Sequence, residues 1–231
     1  MLGTFVEAAR AAFGDDLRSV VLFGSAVEGR LRPTSDVNVL VLLSAFDRSK
    51  ADRLREPLRT AHAAIRLAAM FLLEAELQPA IEAFAVKFGD IARRRQILFG
   101  SDPFATTAVP RAAAITRLKQ TLLNLTLRAR KTYIARGLRE EQLAAAISEM
   151  AGPLRACAAT LVELQGGAAA SPKEALERVA AQLLPGAEGT ALLSQITAAR
   201  ITSALPPGTA GATFCGLIDL AQRMWQTAQQ L

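Results

Sequence analysis

Ser25, Asp36, Asn38 and Glu82 are the residues of this 231-residue chain whose types and neighbours suit chemistry on an anion. Ser25 follows Gly24 at the end of the apolar run LFGS. A strand that turns there into a helix start presents backbone N–H groups and a hydroxyl to a phosphate. Ten residues separate Ser25 from Asp36, which opens DVNVLVLL. In that segment Asp36 and Asn38 alternate with Val37 and Val39, so the two oxygen-bearing side chains share the polar face of a strand. Glu82, in AIEAFAVKF, adds a carboxylate on what alternation presents as a third strand, sharing a face with Phe84 and Val86. A phosphate cradle with acids converging from adjacent strands is what metal-assisted phosphoryl or nucleotidyl transfer needs. Mg²⁺ takes hard oxygen ligands, and the cation neutralises charge on the transferring group.

The elements that must position these residues follow from periodicity and breakers. Residues 2–13 read as a short helix stopped by Gly14, and SVVLF at 19–23 as a buried strand. Residues 30–35, with Pro33, are turn-rich, and 36–43 form the second strand. Residues 48–74 read as one long amphipathic helix with Pro57 inside it. Strand 80–88 follows the Gln78-Pro79 break, and 90–99 returns to helix. GSDPF at 100–104 is a turn and the expected boundary. Beyond it the strand signal disappears, and helices are expected near 111–136, 140–165, 172–184, 188–204 and 212–230. The expectation is an α/β domain at 1–104 and an all-helical domain at 105–231, with the ligand site in a cleft between them.

Composition narrows the classes. Apolar residues make up 51% and charged residues 21%, which excludes disorder as the main state. No apolar run reaches the roughly 18–20 residues of a membrane span. The first residues lack a basic stretch followed by an apolar one, so a cytoplasmic protein with no membrane partner is expected. His62, the one histidine, has no ligand partner at helical spacing. Cys157 and Cys215 form no metal-spaced pair and read as small buried hydrophobes, so neither a zinc site nor a His-based triad is expected. The net charge of +6 is uneven: 111–139 holds eight basic residues and no acid. There Arg117, Thr121, Asn124, Arg128 and Lys131 fall on one helical stripe, suited to a triphosphate, while Leu118, Leu122 and Leu125 form an adjoining stripe that should pack inward. Arg30, Arg32 and the run Arg93-Arg94-Arg95 read as solvated charge. With aromatics at 5%, base stacking has little to work with, and nucleic-acid binding ranks behind a local anionic ligand.

The segments GSAVEGRLRPTSD, DVNVLVLL and PAIEAFAVKFGDI resemble the nucleotidyltransferase superfamily that shares its core with DNA polymerase beta. The likeness is nearest to bacterial aminoglycoside nucleotidyltransferases, above all the streptomycin/spectinomycin adenylyltransferases. It covers about residues 20–104; the remainder is similar only in its helical architecture. The resemblance implies a mixed α/β sheet domain with a helical bundle behind it, in a bacterial protein that uses Mg²⁺. It implies Gly24 and Ser25 on the nucleotide, Asp36 as metal ligand, and Glu82 as catalytic base or third acid. Arg117, Arg128 and Lys131 join the nucleotide only on the reading of their stripe as facing a triphosphate, the other reading being a solvent face. The reaction would transfer a nucleoside monophosphate from its triphosphate to a hydroxyl of a small molecule, such as an aminoglycoside, or of a protein. Asn38 departs from the pattern, for the family carries a second carboxylate at that position. A neutral amide oxygen in place of a bridging carboxylate should weaken a metal site by several kcal/mol, and each ~1.4 kcal/mol is tenfold in rate. The expectation is therefore a triphosphate-binding protein with impaired or lost catalysis. The alternatives are an active transferase and a basic nucleic-acid-binding protein.

Overall fold

The computed structural model describes residues 1–29 and 35–231. Arg30, Leu31, Arg32, Pro33 and Thr34, in the turn-rich stretch, lie outside the described residues. The chain divides into two compact units, Met1–Val109 and Pro110–Leu231.

In the first unit α1 (Leu2–Phe13) ends at Gly14 and leads into β1 (Leu17–Phe23). β2 (Val37–Leu43) runs antiparallel to it. Both strands are apolar over nearly their whole length because the sheet is covered on both faces. Val20, Val39, Val41 and Leu43 belong to the core that carries α1 and α2 (Arg48–Ile65). Val21 and Leu40 face the opposite core with Ile81, Phe88 and Ile91. Side chains this completely buried contribute roughly 1.5–3 kcal/mol each, which makes the two central strands the anchor of the unit.

Three expectations fail in the middle of this unit. The long helix 48–74 stops at Ile65, where Arg66 takes a left-handed conformation (φ 52, ψ 40), and Leu67–Leu73 form β3, parallel to β2. The run LAAMFLL is continuously apolar, so periodicity alone cannot separate a buried strand from a helix there. The stop is made by a non-glycine residue, which leaves no breaker to read. The expected strand 80–88 is instead helical: α3 (Leu77–Ala83) and α4 (Ala85–Arg93). Four of the five buried residues here, Ile81, Ala85, Phe88 and Ile91, recur every three or four positions, Val86 being the fifth. Ile81, Phe88 and Ile91 pack with Val21 and Leu40 of the sheet. Phe84, which alternation paired with Val86, lies at the break between the two helices and is 61% exposed. The helix expected at 90–99 gives way to β4 (Arg95–Gly100), which pairs antiparallel with β1 and completes the order β3-β2-β1-β4. Gly100 is required at its end: with φ +75, a Cβ there would stand 1.9 Å from the Arg18 carbonyl oxygen.

The second unit follows the expected helices closely: α5 (Arg111–Arg136), α6 (Glu140–Leu164), α7 (Pro172–Leu183), α8 (Ala187–Thr202) and α9 (Ala210–Gln229). Breakers and caps were explicit here. Ser171 accepts a bond from Glu174 N at 3.2 Å, with Pro172 in the first turn of α7. α6 is apolar on most sides and packs against the other four helices. Leu118, Leu122 and Leu125 of α5 are buried, as their stripe demanded. Cys157 is buried in α6, but Cys215 is exposed on α9, against expectation. Apolar neighbours in sequence fall on different helix faces, so they did not decide its burial.

Candidate nucleotide site at the end of the sheet

Strand register brings Gly24, Ser25, Asp36 and Asn38, but not Glu82, to one end of the sheet. Phe23, the last residue of β1, pairs with Asn38 near the start of β2 and with Arg95 at the start of β4. Asn38 in turn pairs with Ala68 of β3. The turn Gly24–Ala26 leaves this end directly from β1, and Asp36 enters it directly before β2.

Gly24 has φ +80, a conformation open to glycine and costly for other residues. A Cβ on Gly24 would meet no atom of the described residues within 4 Å, although Gly24 itself is buried. The Gly24 amide donates to the Arg94 carbonyl at 2.9 Å, and the Val27 amide returns to the Gly24 carbonyl at 3.1 Å. Ser25 is half-buried beside them.

Asp36 is 47% exposed and accepts from Arg66 Nε and Nη2, both at 2.9 Å. Asn38 is half-buried, and its Nδ2 donates to the Asp36 carbonyl at 3.3 Å. The side chain therefore spends its one donor group on the neighbouring backbone and has one neutral oxygen left. Glu82 is exposed on α3, where Gln78 Nε2 donates to it at 2.9 Å across one helical turn. The strand beside β2 is β3, and the residue level with Asn38 is Ala68, so Glu82 is not on the neighbouring strand where an acid was expected. Among the described residues no group of three or more His, Cys, Asp or Glu is arranged to hold a metal ion. Asp36, already shared with a guanidinium, and the Asn38 amide do not fit a pair of divalent cations that need bridging carboxylates.

The basic run 93–95 was read as solvated charge. The structure makes it part of the frame around the turn. Arg94 pairs with Asp90 and reaches Glu28 Oε2 at 3.4 Å, with only 20% of its side chain exposed. Arg95 Nε donates to both oxygens of Asp102 at 3.0 Å, and its guanidinium lies 5.7 Å from the Phe104 ring centre. The arginine beside it holds the Asp102 carboxyl below the ordinary carboxylate range. An acid four residues before Arg94 was the available signal, and it was passed over.

In the second unit, Arg128, Lys131 and Asn124 are exposed on α5, whereas Arg117 is half-buried and donates to Gln120 at 2.7 Å. His62 Nδ1 lies 3.1 Å from the Leu67 carbonyl, a bond that ties α2 to β3. An open depression of about 560 Å³ between α2 and β3, lined by Arg59, His62, Leu67 and Ala69, shares no residue with the glycine turn.

The first unit combines a strand that ends in a Gly-Ser turn, an antiparallel partner entered directly after Asp36, and a parallel third strand, and residues 3–87 match the family model of a nucleotidyltransferase domain. Over nearly its full length the chain is similar in fold to a solved spectinomycin adenyltransferase, AAD(9) from Enterococcus faecialis, determined with ATP and spectinomycin. The match covers 96% of this chain and 97% of that one, with a TM-score of 0.67 and 13% identity. At that identity the likeness is one of fold. No curated protein matches by sequence. No helix among the described residues is long and apolar enough to cross a membrane.

Proposed function

We propose that this protein binds a nucleoside triphosphate at the Gly24–Ser25 turn and that its nucleotidyl transfer is impaired or lost. The observation that carries this reading is the donor set at the start of β2: one carboxylate, Asp36, held by Arg66, and an amide at Asn38. The turn supports binding, because its glycine conformation and the space beside it suit close approach of phosphate oxygens to backbone and hydroxyl. Mg²⁺ bound to the triphosphate would supply charge neutralisation, and Asp36 could hold it through Oδ2 or by exchanging Arg66, which bonds Oδ1. The half-exposed ion pair is worth only about 0–1 kcal/mol, so that exchange is accessible; the missing second carboxylate is the larger deficit.

A second reading is favoured by the fold shared with the spectinomycin adenyltransferase: adenylyl transfer to a hydroxyl of a small aminoglycoside-like molecule or of a protein. In it the acceptor hydroxyl oxygen would bond to the α-phosphorus as the bond to pyrophosphate breaks. The hydroxyl proton would pass to a base, Glu82 in the sequence reading or water. Asp36 would hold the cation, and Asn38 would offer it one neutral oxygen. Calorimetric titration of each nucleoside triphosphate, with and without Mg²⁺, separates the readings. Binding that persists without the metal supports the first. Binding that requires Mg²⁺, followed by pyrophosphate release with an acceptor, supports the second. No binding of any nucleoside triphosphate overturns both.

A further inference from the structure

We infer that Arg94 is the positioning residue of the glycine turn, clamping Gly24–Glu28 at both ends so that the turn is held ready for a triphosphate; the inference rests on the phosphate reading given above. At one end the Arg94 carbonyl, at the C-terminal cap of α4, accepts the Gly24 amide at 2.9 Å. At the other end its Nη1 reaches Glu28 Oε2 at 3.4 Å. The guanidinium is itself fixed from behind, because Nε donates to Asp90 Oδ1 at 3.1 Å and Nη2 pairs with Asp90 Oδ2. The three side chains are only 17–25% exposed, so these contacts are far less screened than surface pairs.

Between the clamped ends the turn is held by two bonds of its own, Val27 N to Gly24 O at 3.1 Å and Gly29 N to Ala26 O at 3.4 Å. So short a turn has little stability by itself, and external contacts decide its order. A planar fork that bonds two carboxylates in fixed directions suits this task, and a lysine ammonium does not reproduce it. The clamp also commits the Gly24 amide to protein, which shifts phosphate recognition onto the Ser25 hydroxyl and the amides after it. The next residue, Arg95, pairs with Phe23 across the β1–β4 ladder, so one dipeptide sets both the end of β1 and the turn that leaves it.

The test compares the natural protein with Arg94→Met and Arg94→Lys, with Glu28→Gln as a milder cut of the same link. Amide hydrogen exchange follows Val27 and Gly29, with Val20 and Val41 as controls for the intact sheet. Calorimetry compares ATP with adenosine. The clamp predicts about tenfold faster exchange in the turn and about tenfold weaker ATP binding in both Arg94 variants, with adenosine binding unchanged. Glu28→Gln moves the same readouts in the same direction by less. Unchanged exchange at Val27 and Gly29 overturns the clamp. Faster exchange with undiminished ATP affinity, or equal losses for ATP and adenosine, returns Arg94 to an ordinary structural ion pair. Absence of ATP binding by the natural protein overturns the phosphate reading itself, and the exchange comparison then judges the clamp alone.

Discussion

Asp36 and Asn38 stand two residues apart at the start of β2, yet they offer a cation very different donors. The first is a carboxylate whose charge Arg66 already balances, and the second is an amide whose NH₂ is turned to the Asp36 carbonyl. Gly24 is the other residue on which the account depends. Its φ of +80 makes any side chain costly by roughly 1–2 kcal/mol, while a Cβ there meets no atom of the described residues within 4 Å. Gly24→Val should therefore keep the circular dichroism spectrum of the natural protein and lose triphosphate binding; a folded Gly24→Val protein with unaltered affinity contradicts the placement of the phosphates. The two cysteines give a prediction of another kind. Burial pushes the Cys157 thiol up to about 12, from an ordinary value of 9.0, whereas Cys215 is exposed. A disulfide-exchange reagent should modify one thiol in the native protein and two in denaturant. Because the unfolded chain ionises Cys157 first, its contribution is intact below pH 9.0 and is lost as pH rises toward about 12, at up to ~1.4 kcal/mol per pH unit. A Cys157→Ala protein with the same alkaline loss of stability would show that the pH dependence arises elsewhere.

At the scale of elements, the sequence was most legible where it carries explicit punctuation. α1 ends at a glycine, β1 and β2 are β-branched apolar runs, and the helices of the second unit are separated by Gly and Pro, so all of these fall close to where periodicity put them. The errors cluster between residues 66 and 99, for two physical reasons. β3 is a fully apolar run entered through a left-handed arginine, and α3–α4 carry a local alternation, Glu82-Phe84-Val86, inside a true three-to-four-residue repeat. Misplacing that strand is what set Glu82 beside β2, and it hid Ala68 at the position level with Asn38. The Gly-Ser turn and the Asp-x-Asn strand survived because spacing and alternation both support them. The α5 stripe remains an element-scale proposal. Replacing Arg117, Arg128 and Lys131 together by Gln should weaken ATP binding by about tenfold and adenosine binding by little, since each phosphate contact to a cation is worth on the order of 1 kcal/mol or less when exposed. Equal losses for both ligands, or none, would return the stripe to solvent. The inward stripe is already settled, with Leu118 and Leu122 completely buried.

For the molecule as a whole, a sheet unit whose residues 3–87 match a nucleotidyltransferase family model is followed by a helical unit, and 96% of the chain is similar in fold to a spectinomycin adenyltransferase. Fold does not carry activity with it, and the proposed loss of transfer rests on the residue at position 38. Asn38→Asp is nearly isosteric and restores a carboxylate next to Asp36 without disturbing the register of Phe23, Asn38 and Ala68. The most direct test of the central claim is Mg²⁺-dependent ATP binding and pyrophosphate release, measured side by side for the natural protein and Asn38→Asp. The account predicts that the natural protein binds ATP with little dependence on Mg²⁺ and releases little pyrophosphate with candidate hydroxyl acceptors, and that Asn38→Asp binds ATP more tightly when Mg²⁺ is present. Efficient Mg²⁺-dependent pyrophosphate release by the natural protein, or an Asn38→Asp protein with no gain in metal-dependent binding, would contradict it.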